Sequence, residues 1–337
     1  MTLRRLNLSS LELPVELRTN AILTYNTVTG WSWVSSFANS TPQGSNFGYT
    51  SGGGTTIPGT SYDTVDRFPF TSDSGATDVG NLTTSRNAPA GQSSYTHGYT
   101  SGGFAPPQVN TIDKFPFSTN SNATDVGDLT VSRDSAVGQS STVSGYTSGG
   151  YQGGATYSNV IDKFPFSSDS NATDVGDLTQ SRRLTAGQNS TTFGYTSGGD
   201  TPTYSNVIDR FPFASNANAT DVGDLSQIRS EATGQSSTTF GYTSGGSPSS
   251  PTLNSVNTID RFPFSATGNA TDVADLSQSR SRSASQSSTT SGYTSGGFFW
   301  PASYYSTIDK FPFATNTNAT NIGSLTQSRA KPAGQQY

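Results

Sequence analysis

Paired carboxylates are the most reactive pattern this chain contains. The phrase ATDVGD sets two aspartates three residues apart, as at Asp125 and Asp128, and variants of it return six times. Such a pair could hold a calcium ion or divide acid and base duties. Calcium, however, needs several oxygens converging from different segments. The second carboxylate is also lost at Asn81 and Ser324 with no change in the surrounding phrase. A structural role is the better expectation, either capping turns or pairing with Arg133 and its equivalents.

Other chemistry has few carriers. The chain has no cysteine and a single histidine, His97, so disulfides, thiolate nucleophiles and Cys/His zinc sites are excluded. Glutamate occurs only at Glu12, Glu16 and Glu231, which leaves no pair for a two-glutamate glycosidase. His97 precedes Gly98-Tyr99, where the equivalent positions hold Phe47, Ser144, Phe193, Phe240 and Ser291. It reads as a variant of a structural position rather than as the base of a serine nucleophile. Asn-Ala-Thr at Asn122, Asn171, Asn218, Asn269 and Asn318 meets the glycosylation sequon, yet asparagine there is expected to supply turn geometry. The expectation is a protein without cofactor or metal that is not an enzyme.

The elements that would position these residues are written six times over. GYTSGG begins at Gly48, Gly98, Gly145, Gly194, Gly241 and Gly292, a period drifting between 47 and 51 residues. That drift means repeated strands joined by loops of unequal length. Turn residues divide each unit into four short segments, for example Ala186 to Phe193, Gly194 to Ser197, Asn159 to Phe166 and Thr173 to Leu178. No window keeps apolar residues at helical spacing, and Gly or Pro interrupts each attempt. Pro165 and its equivalents Pro69, Pro116, Pro212, Pro263 and Pro312 lack a ladder donor, so they belong at a strand end or beside a lapse in pairing. Only 30% of the residues are hydrophobic and 36 are glycine, a mixture typical of disordered chains. The fixed offsets of Ile, Phe, Val and Leu argue for a fold instead. Four strands per unit match a propeller blade, packed on both faces and so free of strict polar alternation.

These phrases carry a family resemblance. A double glycine closing one strand, an [IV]D[KR]-aromatic strand, a Leu-x-x-x-Arg segment and a small-residue GQSS strand together resemble the kelch repeat. They are similar in particular to kelch-like repeats in structural and tail-associated proteins of marine bacteriophages. The resemblance spans all six units and implies an all-β, six-bladed kelch-like propeller with the AGQ strand innermost and TDVGDL outermost. It also implies a virion protein, made in the host cytoplasm, that is tail- or capsid-associated, with other virion proteins as partners and a host-surface glycan or protein as a further candidate. The alternative is a free-standing lectin-like or protein-binding module. The kelch tryptophan is replaced by Val79, Val126, Val175, Val222, Val273 and Ile322, so packing between blades should differ in detail.

Both ends of the chain bear on closure. The last inner phrase, Ala333-Gly334-Gln335, stops at Tyr337, close in the repeat to where Ser45 begins. Ala333, Gly334, Gln335 and Tyr337 are therefore expected to complete the first blade and close the ring. Residues 1–44 form a short extended arm and 45–337 the propeller. The arm's apolar residues Leu11, Leu13, Val15, Leu17, Trp31 and Trp33 suit attachment or oligomerisation, or a strap over the propeller.

Variation is concentrated after each double glycine and after each arginine, two loop sets that four antiparallel strands would place on one face. The most aromatic loop holds Phe298, Phe299, Trp300, Tyr304 and Tyr305, rings that could stack on sugars or anchor a protein partner, or fold onto their own blade. A net charge of -5 and pI near 4.8 disfavour a nucleic-acid partner. No stretch has the length of a signal peptide's apolar core or of a membrane span.

Overall fold

The computed structural model describes residues 21–26, 30–35, 43–55, 59–201, 203–248, 254–301 and 303–337. The chain forms two compact units, Met1–Ser40 and Thr41–Tyr337. In the first, Ala21–Asn26 pairs antiparallel with Gly30–Ser35, setting Trp31 opposite Tyr25 and Trp33 opposite Leu23. Leu11, Leu13, Val15 and Leu17 lie outside the described residues.

The second unit is a six-bladed β-propeller of four-stranded antiparallel sheets. Blade 2 shows the plan: Ala90–Ser93 innermost, then His97–Ser101, Thr111–Pro116 and Thr124–Asp128 outermost. Blades 3 to 6 repeat it over 137–177, 186–224, 233–275 and 284–324. Blade 1 takes its inner strand, Ala333–Gln336, from the far end of the chain and the rest from Phe47–Ser51, Thr64–Pro69 and Thr77–Asn81. Gly48 faces Gln336, and Ser51 faces Ala333. Tyr337 exchanges backbone hydrogen bonds with Phe47. The expected ring closure is thus found, and each repeated proline is the last residue of its third strand.

Burial on both faces explains why alternation is hard to see. In the third strand of blade 2, Ile112 packs toward blade 3 while its buried neighbour Asp113 points back toward blade 1. Each apolar layer joins two blades: Tyr99, Ile112 and Leu129 of blade 2 meet Phe164, Phe166 and Ala172 of blade 3, with Val126 against them. Val79, Val126, Val175, Val222, Val273 and Ile322 all lie in such layers. Gly98 sits opposite Phe115, and a Cβ on it would lie 2.3 Å from the ring's Cζ. Glycine there lets the phenylalanine lie flat across the strand.

Toward the axis the joints become polar. Gln92 donates to the carbonyl of Tyr146 and the hydroxyls of Thr147 and Ser101, at 2.9–3.0 Å. The equivalent glutamines repeat the reach into the next blade, and Gln335 carries it across the closure to Tyr99 and Thr100. Buried amides are tolerated because they are bonded on both sides.

The arginines are the largest fully buried side chains. Arg133 pairs at 2.9 Å with Asp162, not with the aspartates of the outer phrase, correcting one sequence expectation. Asp162 also accepts from the backbone and hydroxyl of Thr130. The reason is position: Asp162 projects into the gap between blades, whereas Asp125 is exposed on the rim. There Asp125 caps a turn as expected, accepting from Gly127 N at 3.1 Å. The sequon asparagines do more than shape turns, since Asn171 accepts from Asp128 N and so links blade 3 to the outer edge of blade 2.

The variable face and axial channel

One face of the disc gathers both variable loop sets, because each residue following a double glycine bridges the residue following an arginine. The pairs are Asn87–Phe104, Asp134–Tyr151, Arg183–Asp200, Ser230–Ser247, Ser281–Phe298 and Gly54–Ala330. The opposite face holds the more uniform turns. His97 lies there, its Nδ1 2.8 Å from the Thr96 hydroxyl. Burial pushes its pKa down, Lys114 adds to this and Asp169 opposes it.

At the centre of the variable face, the residue two beyond each buried arginine adopts a left-handed backbone. These are Ala88, Ser135, Leu184, Glu231, Arg282 and Lys331, with φ between 54° and 59°. Each non-glycine residue held so costs about 1 kcal/mol or more. A closed hoop of hydrogen bonds holds them: every one donates its N–H to the carbonyl of the preceding blade's residue, at 2.6–2.9 Å, and Ala88 completes the circle by donating to Lys331. Below the hoop the inner strands line a channel of about 130 Å³. They approach so closely that a Cβ on Gly138 would lie 2.0 Å from Gly91 O. A second hoop closes the far end, where Ser93, Ser140, Asn189, Ser236, Ser287 and Gln336 each pass a backbone N–H to the next side-chain oxygen. At that end the chain enters the propeller, with Gly44 donating to Ser287 O and Gln43 to Ser236 O.

Charge in the channel mouth is uneven. Glu231 accepts from Arg282 at 2.7 Å and from Ser281 at 3.0 Å. Asp134 is satisfied by Gln108 and Ser135. Lys331 lines the channel, and burial holds its pKa below the usual lysine range. Arg282 and Arg183 press it in the same direction, while Glu231 and Asp134 oppose them. Among the described residues the Lys331 ammonium has no hydrogen-bond or ion-pair partner.

The aromatic loop adjoins this mouth. Phe298–Phe299 pairs with Ser303–Tyr304 as a small hairpin. Phe298 is buried beneath the Arg282 guanidinium, 5.1 Å from its ring centre, and 5.1 Å from the Tyr304 ring. Phe299, Tyr304 and Tyr305 are half-buried, while Trp300 stands out at 48% exposure. The five sequence-selected rings thus divide, with Phe298 as base and Trp300 as the free face. A second cluster escaped the sequence reading: Arg183 lies over Tyr151 and Tyr157, at 4.7 and 5.2 Å, and pairs with Asp200. Its only sequence signal was two tyrosines flanking a glycine turn.

Among the described residues there is no group of three or more metal-ligating side chains and no helix long and apolar enough to cross a membrane. No protein-family model matches the chain, and no curated protein matches it. The likeness of the repeat phrases to kelch-like and phage sequences is thus a resemblance only. The strand order defines the class, a six-bladed propeller whose architecture is compatible with a binding or recognition module.

Proposed function

We propose that this protein is a non-catalytic recognition propeller, and that it works as a tail- or capsid-associated component of a bacteriophage particle that presents its variable face to a glycan or protein on the host surface. The observation that carries the recognition reading is the segregation of variation. Both variable loop sets and the exposed Trp300 share one face, while residues 43 and 44 join the ring on the other. Attachment through preceding residues is then compatible with an open variable face. The particle assignment draws on the resemblance of the repeats.

Two experiments divide these levels. Trp300→Ala should abolish binding of the purified protein to host-surface glycans, and undiminished binding would remove the aromatic loop from the reading. Mass spectrometry of purified virions should detect this chain, and its absence would leave a free-standing binding module.

A further inference from the structure

We propose that the mouth of the axial channel is a site for a single carboxylate, with Lys331 as its counter-ion, and that on the recognition reading above it selects acidic over neutral sugars. The hoop presents six side chains around the mouth, and chemistry breaks its symmetry. Three consecutive positions are Ala88, Ser135 and Leu184, and the other three are Glu231, Arg282 and Lys331. Glutamate and arginine neutralise each other at 2.7 Å, which leaves the lysine as the uncompensated charge of the hoop.

Lys331 occupies a place where a cation is costly. It lines a narrow channel and feels the charges of Asp134, Arg183, Glu231 and Arg282, which come from four different connectors. Connector 87–89 contributes no charge. Lys331 is partly exposed, so its ammonium is open to a ligand, and among the described residues no carboxylate pairs with it.

The charge count selects the ligand class. Glu231 pairs with Arg282, Arg183 pairs with Asp200 and Asp134 is held by Gln108 and Ser135, so a single ammonium is left to meet a ligand, and a single carboxylate is the anion that one ammonium matches. About 130 Å³ is several times the roughly 10–15 Å³ that one water requires by the same measure, so a carboxylate and part of the ring bearing it can enter. Arg282 lies over Phe298 at the base of the aromatic hairpin. The axial site and the aromatic loop are thereby neighbours.

The test is calorimetric titration of the full chain with glucuronic acid, glucose and acetate. Glucuronate should bind and glucose should not, and equal affinity for acetate would identify a free small carboxylate as the source rather than an acidic sugar. Lys331→Gln should weaken glucuronate about tenfold or more, the worth of one charge-assisted hydrogen bond, while Lys331→Arg retains most of it. Glucuronate affinity unchanged in Lys331→Gln with the fold intact would overturn the proposal. Glucuronate binding that depends on Lys331 in a protein that binds no host-surface glycan would keep this site and remove the recognition reading, so the two fail on different results.

Discussion

Deleting residues 333–337 should open the ring, and the structure sets the size of the effect. The segment forms the whole inner strand of blade 1, paired from Gly48–Gln336 to Ser51–Ala333. It also carries the three contacts of Gln335 Nε2, with Ser51, Tyr99 and Thr100. Gln336 contributes two links of the lower hoop. Tyr337 adds its exchange with Phe47, a further bond from Asn46 and a ring contact with Phe117 at 5.3 Å. At about 1 kcal/mol net per hydrogen bond, the loss is of the order of 8 kcal/mol, comparable to the whole stability of an ordinary domain. With roughly 2–4 °C lost per kcal/mol in chains of this size range, the melting temperature should fall by about 15 °C or more. Differential scanning calorimetry of full-length and truncated protein measures this directly. A peptide of residues 330–337 added in trans should restore part of the loss. An unchanged melting temperature would refute closure by this strand and with it the view that the blades are held as a ring.

Other predictions address the joints and the face. Asp162→Ala leaves Arg133 buried without its partner and should cost about 3–5 kcal/mol, read by urea denaturation; pairing it with Arg133→Met should recover a substantial part. Burial raises Tyr49 and Tyr99 from 10.0 to about 12. The folded state therefore keeps protons that the unfolded chain releases above pH 10, and stability should fall as pH climbs from 10 toward 12. Denaturant midpoints on either side of pH 10 check the sign. Trp300→Ala should shift the melting temperature by little, since its ring is half exposed, while removing glycan binding.

The fold was legible because its signals are local and repeated: double glycines, strand-ending prolines and an inner phrase left incomplete at Tyr337. The joints were less so. Asp162 and Asp125 look alike in one dimension, and only the stacking of blades shows which faces an arginine. The left-handed hoop had no signal at all, because Ala88, Ser135, Leu184, Glu231, Arg282 and Lys331 share no chemistry. What they share is a place on the axis, where a backbone ring imposes one conformation on any side chain. The aromatic loop was visible as composition, but its division into a buried Phe298 and an exposed Trp300 follows from a hairpin pairing that its sequence does not announce.

The hoop also acts as a gauge. Six left-handed residues bonded head to tail close on themselves at one circumference, and the inner strands beneath them touch backbone to backbone with no room for a Cβ at Gly91, Gly138 or Gly234. A gene that gained or lost one repeat would produce a chain unable to complete this circle, whatever happened at the rim. Copy number is therefore counted at the axis, and the outer loops are left to diverge in length without altering the number of blades.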